Sequence, residues 1–121
     1  MNYDTLYEAF KKEFPEGQRY FEKLEQENYI DESDGMHPVF GMVVVPYILQ
    51  VVRENGLLEI RKVALFLEKM ALCDDADVVD VLDFTVLEQL IDEDRSILEI
   101  CKKHMGEYTL KHCEEIEKYF L

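Results

Sequence analysis

The sequence predicts an all-α fold, an array of about seven helices in a single domain spanning residues 1–121. Apolar residues recur at helical spacing along nearly the whole chain, and the polar breaks between these stripes are short. Only one short β-branched run reads as strand, and no second segment offers it a partner. A chain of 121 residues favours one domain, and at 14.4 kDa roughly two-thirds of its unfolded surface is buried on folding. Seven Phe and seven Tyr within a 48% hydrophobic composition supply a core despite the charge.

Each element follows from its own residues. Tyr3, Leu6, Tyr7 and Phe10 share one face of a first helix, which Pro15 interrupts. The segment Gln18 to Asn28 resumes with Tyr20, Phe21 and Leu24 on one side, and Asp31-Glu32-Ser33-Asp34-Gly35 is a polar break. From Val39 to Leu49 the only polar side-chain group is the Tyr47 hydroxyl. Val43-Val44-Val45 has strand propensity, and Pro46 would disturb a continuous helix. Two readings stand: a short strand at 39–45 followed by a helix from Pro46, or a kinked buried helix over 39–55 with Pro38 in its first turn. The helix is favoured because a lone strand has nothing to pair with. Asn55-Gly56 is a stop signal.

Ile60, Val63, Ala64, Leu67, Met70 and Ala71 form the next stripe. Asp74 or Asp75 can cap the helix that follows, which carries Val79, Leu82, Val86 and Leu90 on one face. Asp92-Glu93-Asp94 breaks it and can cap a helix with Ile97, Leu98, Cys101 and Met105. Gly106 ends that one, and Leu110, Cys113, Ile116 and Phe120 run to the last residues. Asp74 to Leu90 looks like one unit of HEAT-like helical hairpins, although no strict internal period is present.

The net charge is −14, which excludes duplex nucleic acid and anionic membranes as natural partners and leaves room for a basic protein. The charge is concentrated. Asp74, Asp75, Asp77, Asp80, Asp83, Glu88, Asp92, Glu93 and Asp94 fall in 74–94, a window without Lys or Arg. Acids at the start of a helix suit its dipole, but here nothing relieves their mutual repulsion. At 100° per residue, Val81 and Phe84 lie among Asp77, Asp80 and Glu88. This gives a candidate partner-binding face: Asp74, Asp75, Asp77, Asp80, Asp83 and Glu88 steer a basic surface, and Val81 and Phe84 form the desolvated centre. The alternative is a helix sandwiched between neighbours that buries Val81 and Phe84.

No catalytic, cofactor or metal site is expected. Asp77/Asp80 and Asp80/Asp83 have the spacing for acid–base work, but helical carboxylate pairs arise by chance in so acidic a chain. The 31–35 segment lacks the ligand alternation of a calcium loop. Cys101 and His104 could share a helix face, but adjacent His112 and Cys113 diverge by about 100°. A competing hypothesis, an enzyme using clustered carboxylates and a divalent metal, is decided by metal analysis. The N-terminus has no secretory pattern, and the uncharged stretch 36–52 is interrupted by His37, Pro38, Gly41, Pro46 and Gln50. The expectation is therefore no membrane helix, and a cytoplasmic protein with Cys73, Cys101 and Cys113 reduced.

Certain segments resemble, in pattern and order, a family of small acidic bacterial helical proteins. They are Phe14-Pro15, His37-Pro38-Val39-Phe40-Gly41, Val45-Pro46-Tyr47, Phe66-Leu67-Glu68-Lys69-Met70, the acidic turn at 74–77, Val86-Leu87-Glu88-Gln89-Leu90, Met105-Gly106 and Ile116-Glu117-Lys118-Tyr119-Phe120. That family looks like the immunity proteins of polymorphic or contact-dependent toxin systems. The resemblance implies a protein, monomeric when free, that binds a cognate toxin domain, often a basic nuclease, and blocks it. It carries over no toxin-contacting residue. The alternative is a helical adaptor with no toxin partner, binding through Tyr3, Tyr7, Tyr20 and Tyr29.

Overall fold

A computed structural model describes residues 1–120. Seven helices account for the bundle: α1 (Leu6–Glu13), α2 (Gln18–Asn28), α3 (Met36–Arg53), α4 (Leu57–Ala71), α5 (76–93), α6 (Arg95–His104) and α7 (Glu107–Glu117). Short 3-10 turns at Tyr3–Thr5 and Pro15–Gly17 lead into α1 and α2. Among the described residues there is no strand. The all-α expectation holds, and 39–45 lies inside α3 rather than in a strand.

The physical solution to Pro46 is local. The chain makes a π-helical turn over Phe40–Val44, in which the Val45 N–H donates to the Phe40 carbonyl one residue further back than in an α-helix. The wider turn absorbs the missing N–H of Pro46 and the crowding its ring imposes one turn back. A second π-helical turn, Leu82–Leu87, interrupts α5, and there the Glu88 N–H donates to the Asp83 carbonyl. The two widened turns pack against each other. Gly41 lies at this crossing, where a Cβ would stand 2.7 Å from Gln89 Nε2 and 3.5 Å from Thr85 Cγ2. His37 Nδ1 closes the crossing at 2.6 Å from Thr85 Oγ1.

By length and composition α3 could cross a membrane, with a mean hydropathy of 1.3 over 18 residues. In the bundle it is a core helix, with Phe40, Val43, Val44 and Ile48 fully buried. The centre of the core is Phe10. Its ring stacks on Phe14 at 4.5 Å and meets Phe66 edge-on at 5.2 Å. Phe21, Phe40 and Tyr47 lie 5.7, 6.0 and 6.2 Å away. One residue thus joins α1 to α2, α3 and α4.

The helix ends are closed by specific groups. The Asp94 carboxylate accepts from the Ser96 N–H at 2.8 Å, capping α6. After α3 the left-handed residue is Asn55 (φ 57°), not Gly56, and the Gly56 N–H returns to the Val51 carbonyl in a Schellman closure. After α2 the same closure places Tyr29 in the left-handed region at φ 52°, with the Ile30 N–H on the Glu25 carbonyl. Gly106 starts α7 rather than merely ending α6.

Candidate partner-binding face

The candidate face is built on α5. Asp75 is its N-cap: one carboxylate oxygen accepts from the Asp77 N–H at 3.0 Å and the other from the Tyr3 N–H at 2.9 Å. Asp75 therefore ties the chain's first turn to α5 and is occupied in the fold. Asp74, Asp77 and Asp80 are exposed, and Glu88 is half-buried.

Val81 departs from expectation. It is fully buried and is not at the surface among the acids. The cause is tertiary: α5 packs against α3 and α4 on one side and against α6 and α7 on others. Its buried arc takes in Val78, Val81, Leu82, Thr85, Val86, Leu87 and Leu90, while Val79 is only half-buried. The sandwiched-helix alternative thus describes Val81 and fails for Phe84, which is 58% exposed.

Asp83 turns away from the solvent strip toward α7, where its Oδ1 lies 2.8 Å from His112 Nδ1. Burial pushes the Asp83 carboxyl above its ordinary range, against the opposing pull of His112, and Asp80 adds to the rise. What remains on the outside of α5 is a strip of Asp77, Asp80 and Phe84, with Glu88 beside it. Among the described residues, no Lys, Arg or His pairs with any acid of 74–94 except Asp83. Such a strip can attract a cationic surface and bury one phenyl ring in it. Among the described residues no three His, Cys, Asp or Glu side chains converge on a possible metal position.

One other expectation is corrected by burial. Tyr7 is fully buried and Tyr3 and Tyr20 are half-buried, so of the tyrosines expected to form an adaptor surface only Tyr29, at 95%, is fully available. Cys101 and Cys113 are buried, and burial raises their thiols to about 11 and about 12. Sequence reasoning also passed over a cleft in which Glu16, Glu54 and Glu59 surround Tyr47. Those acids are scattered along the chain, and the available signal was the single hydroxyl in the apolar run of 39–49.

A family described as a domain of unknown function, DUF7674, matches residues 7–120. The chain belongs to the DUF7674 family. The match takes in the acidic strip of α5 and the cleft around Tyr47, so both are parts of the DUF7674 domain itself. No curated protein and no solved structure matches this DUF7674 chain.

Proposed function

We propose that this DUF7674 chain is an immunity protein: it binds and blocks a cognate bacterial toxin domain, a basic nuclease-type domain, through the outer strip of α5. The observation that carries the reading is an exposed Phe84 beside Asp77, Asp80 and Glu88, which pair with no Lys, Arg or His among the described residues. Asp74, Asp77, Asp80 and Glu88 supply the steering field, and Phe84 supplies the ring that is desolvated on docking. The overall charge of −14 and the pattern resemblance to immunity proteins support the same reading. The protein then acts in the cytoplasm as a monomer until it meets the toxin, by occupancy and without chemistry of its own.

The test begins with gene context: any large secreted protein encoded immediately upstream supplies its variable C-terminal domain as the candidate toxin. Co-expression is expected to relieve its toxicity, and the purified pair to associate with an on-rate that falls about tenfold or more between low and high salt. Charge reversal at Asp77 and Asp80 slows association. Phe84→Ala speeds dissociation, weakening the complex roughly tenfold or more. Absence of both protection and binding overturns the immunity reading. Binding that ignores salt and survives the Asp77 and Asp80 reversals overturns the α5 face.

A further inference from the structure

A second concave site lies away from α5, between α2, α3 and the start of α4. It is a cleft of about 340 Å³ lined by Glu16, Tyr20, Tyr47, Gln50, Glu54 and Glu59. Its floor is closely built. A Cβ on Gly17 would stand 2.6 Å from Phe21 Cζ and 2.9 Å from Tyr47 Cε1, so only glycine lets the Pro15–Gly17 turn approach these rings. The Tyr20 and Tyr47 rings sit 5.8 Å apart and inclined at 57°.

Two independent features point to the kind of occupant. The first is Tyr47 itself. It is 6% exposed, and its hydroxyl makes no hydrogen bond to any described residue, whereas the Tyr20 hydroxyl donates to the Pro46 carbonyl at 3.4 Å. The ring is buried while the hydroxyl oxygen opens onto the cleft unpaired by any described residue, where it can donate to or accept from a bound group. The second is the charge around it. Burial, then Glu16, Glu59 and Glu54 in that order, raise the Tyr47 hydroxyl to about 12, so all three carboxylates act on one oxygen. Lys62 holds Glu16 at 3.0 Å. Glu54 is met only by the neutral Gln50 amide, and among the described residues no cation pairs with Glu54 or Glu59.

We propose that this cleft binds an organic cation, the guanidinium head of an alkyl chain, with its N–H groups on the Tyr47 hydroxyl and the carboxylates of Glu54 and Glu59. A guanidinium suits the site better than a metal ion. It is planar, weakly hydrated and rich in donors, and its stem and face pack on aromatic rings such as Tyr20 and Tyr47. A cleft of about 340 Å³ holds a group of that size, and the carboxylates do not converge as metal ligands do. The head can come from a free small molecule or from an arginine side chain of a partner protein; the chemistry of recognition is the same. The site is independent of the α5 strip and stands whether or not that strip binds a toxin.

The experiment is an amide chemical-shift titration of the full chain with n-butylguanidinium, with n-butanol as the uncharged control and an end-blocked Gly-Arg-Gly tripeptide as the second arm. Saturable shifts are expected at Gly17, Val51 and Gly56 with the cation and not with butanol. Tyr47→Phe, which keeps the ring, and the double change Glu54→Gln with Glu59→Gln are each expected to weaken binding roughly tenfold, as loss of a charged hydrogen bond does. Their helical circular dichroism should stay that of the parent. Tripeptide binding as tight as that of butylguanidinium supports the site and assigns a protein side chain as its source; binding of butylguanidinium alone supports the site with a small molecule as source. Shifts that fail to saturate, that appear along 74–94 instead, or that are unchanged in both variants overturn the proposal.

Discussion

The carboxylate of Glu68, on α4, caps the first turn of α7, and Gly106 is the residue that leaves room for it. One Glu68 oxygen accepts from the Thr109 N–H at 2.8 Å and from the Thr109 hydroxyl at 2.7 Å, and the other accepts from the Tyr108 N–H at 3.1 Å. Gly106 is the N-cap of α7 but has no side chain to serve as one. A Cβ at Gly106 would stand 2.6 Å from Glu68 Oε1 and 2.8 Å from Glu68 Cγ. The cap of one helix is thus supplied by another across the bundle, satisfying donors that would otherwise be orphaned. Glu68→Ala is expected to lower stability by about 1–2 kcal/mol, the range for losing an N-cap. Gly106→Ala is expected to cost about 1–3 kcal/mol by overpacking. Because both changes break one contact, urea denaturation of the double variant should show a loss smaller than the sum.

The same carboxylate sets a pH dependence. Burial pushes the Glu68 carboxyl up, but the Thr109 and Tyr108 hydrogen bonds outweigh it and hold the group below its ordinary value of 4.5. The contribution of Glu68 is therefore present above that value and is lost as pH falls through the lowered one. Asp83 has the opposite sign. Its folded value lies above the ordinary 3.8, so its carboxyl favours the fold more as it protonates. On acidification, denaturation midpoints of Glu68→Gln should fall less than those of the parent, and midpoints of Asp83→Asn should fall more. A reversed order of the two variants would falsify the assignment.

Tyr29 ends α2 in the left-handed region at φ 52° while its side chain is 95% exposed. A β-carbon there is strained and the ring recovers little by contact. Tyr29→Gly is expected to stabilise the protein by up to about 1 kcal/mol, with relief of the left-handed strain outweighing the added chain entropy. Thermal melts read the sign directly.

The three thiols should separate kinetically. Cys101 and Cys113 are buried, with their thiols raised by burial, while Cys73 is half-buried near the surface. An aromatic disulfide reagent at mild alkaline pH is expected to modify Cys73 first. The other two should follow only at the rate of opening of the fold.

Phe10 bears on the core as a whole. Phe10→Ala removes the ring that five other aromatics contact and is expected to cost about 3–5 kcal/mol. Gly41→Ala is expected to be far milder, because the nearest atom it meets is the mobile end of Gln89. Chemical denaturation of the two variants checks the contrast.

Much of the fold was legible because helix formation here is a local matter. The periodic stripes around Phe10, Leu67 and Leu98, the Asp75 and Asp94 caps and the stop at Asn55-Gly56 all act within a turn or two of their own position. The readings that failed depended on neighbours. Val81 and Phe84 are nearly equivalent on a helical wheel, yet one is fully buried and the other largely exposed. Tyr7 and Tyr29 were equal candidates for a surface, and only the packing of α1 against the core separates them.

The sequence by itself determined that this protein is helical, where its helices break, and that its excess negative charge belongs to 74–94, since these follow from spacing, capping chemistry and composition. Only the tertiary structure decided which side of α5 stays outside, how Pro46 fits inside a helix, that Glu68 caps α7, and that Glu16, Glu54 and Glu59 meet around Tyr47. Each of these depends on contacts between residues distant in the chain, and a linear pattern carries no information about which surfaces the folded helices turn toward one another.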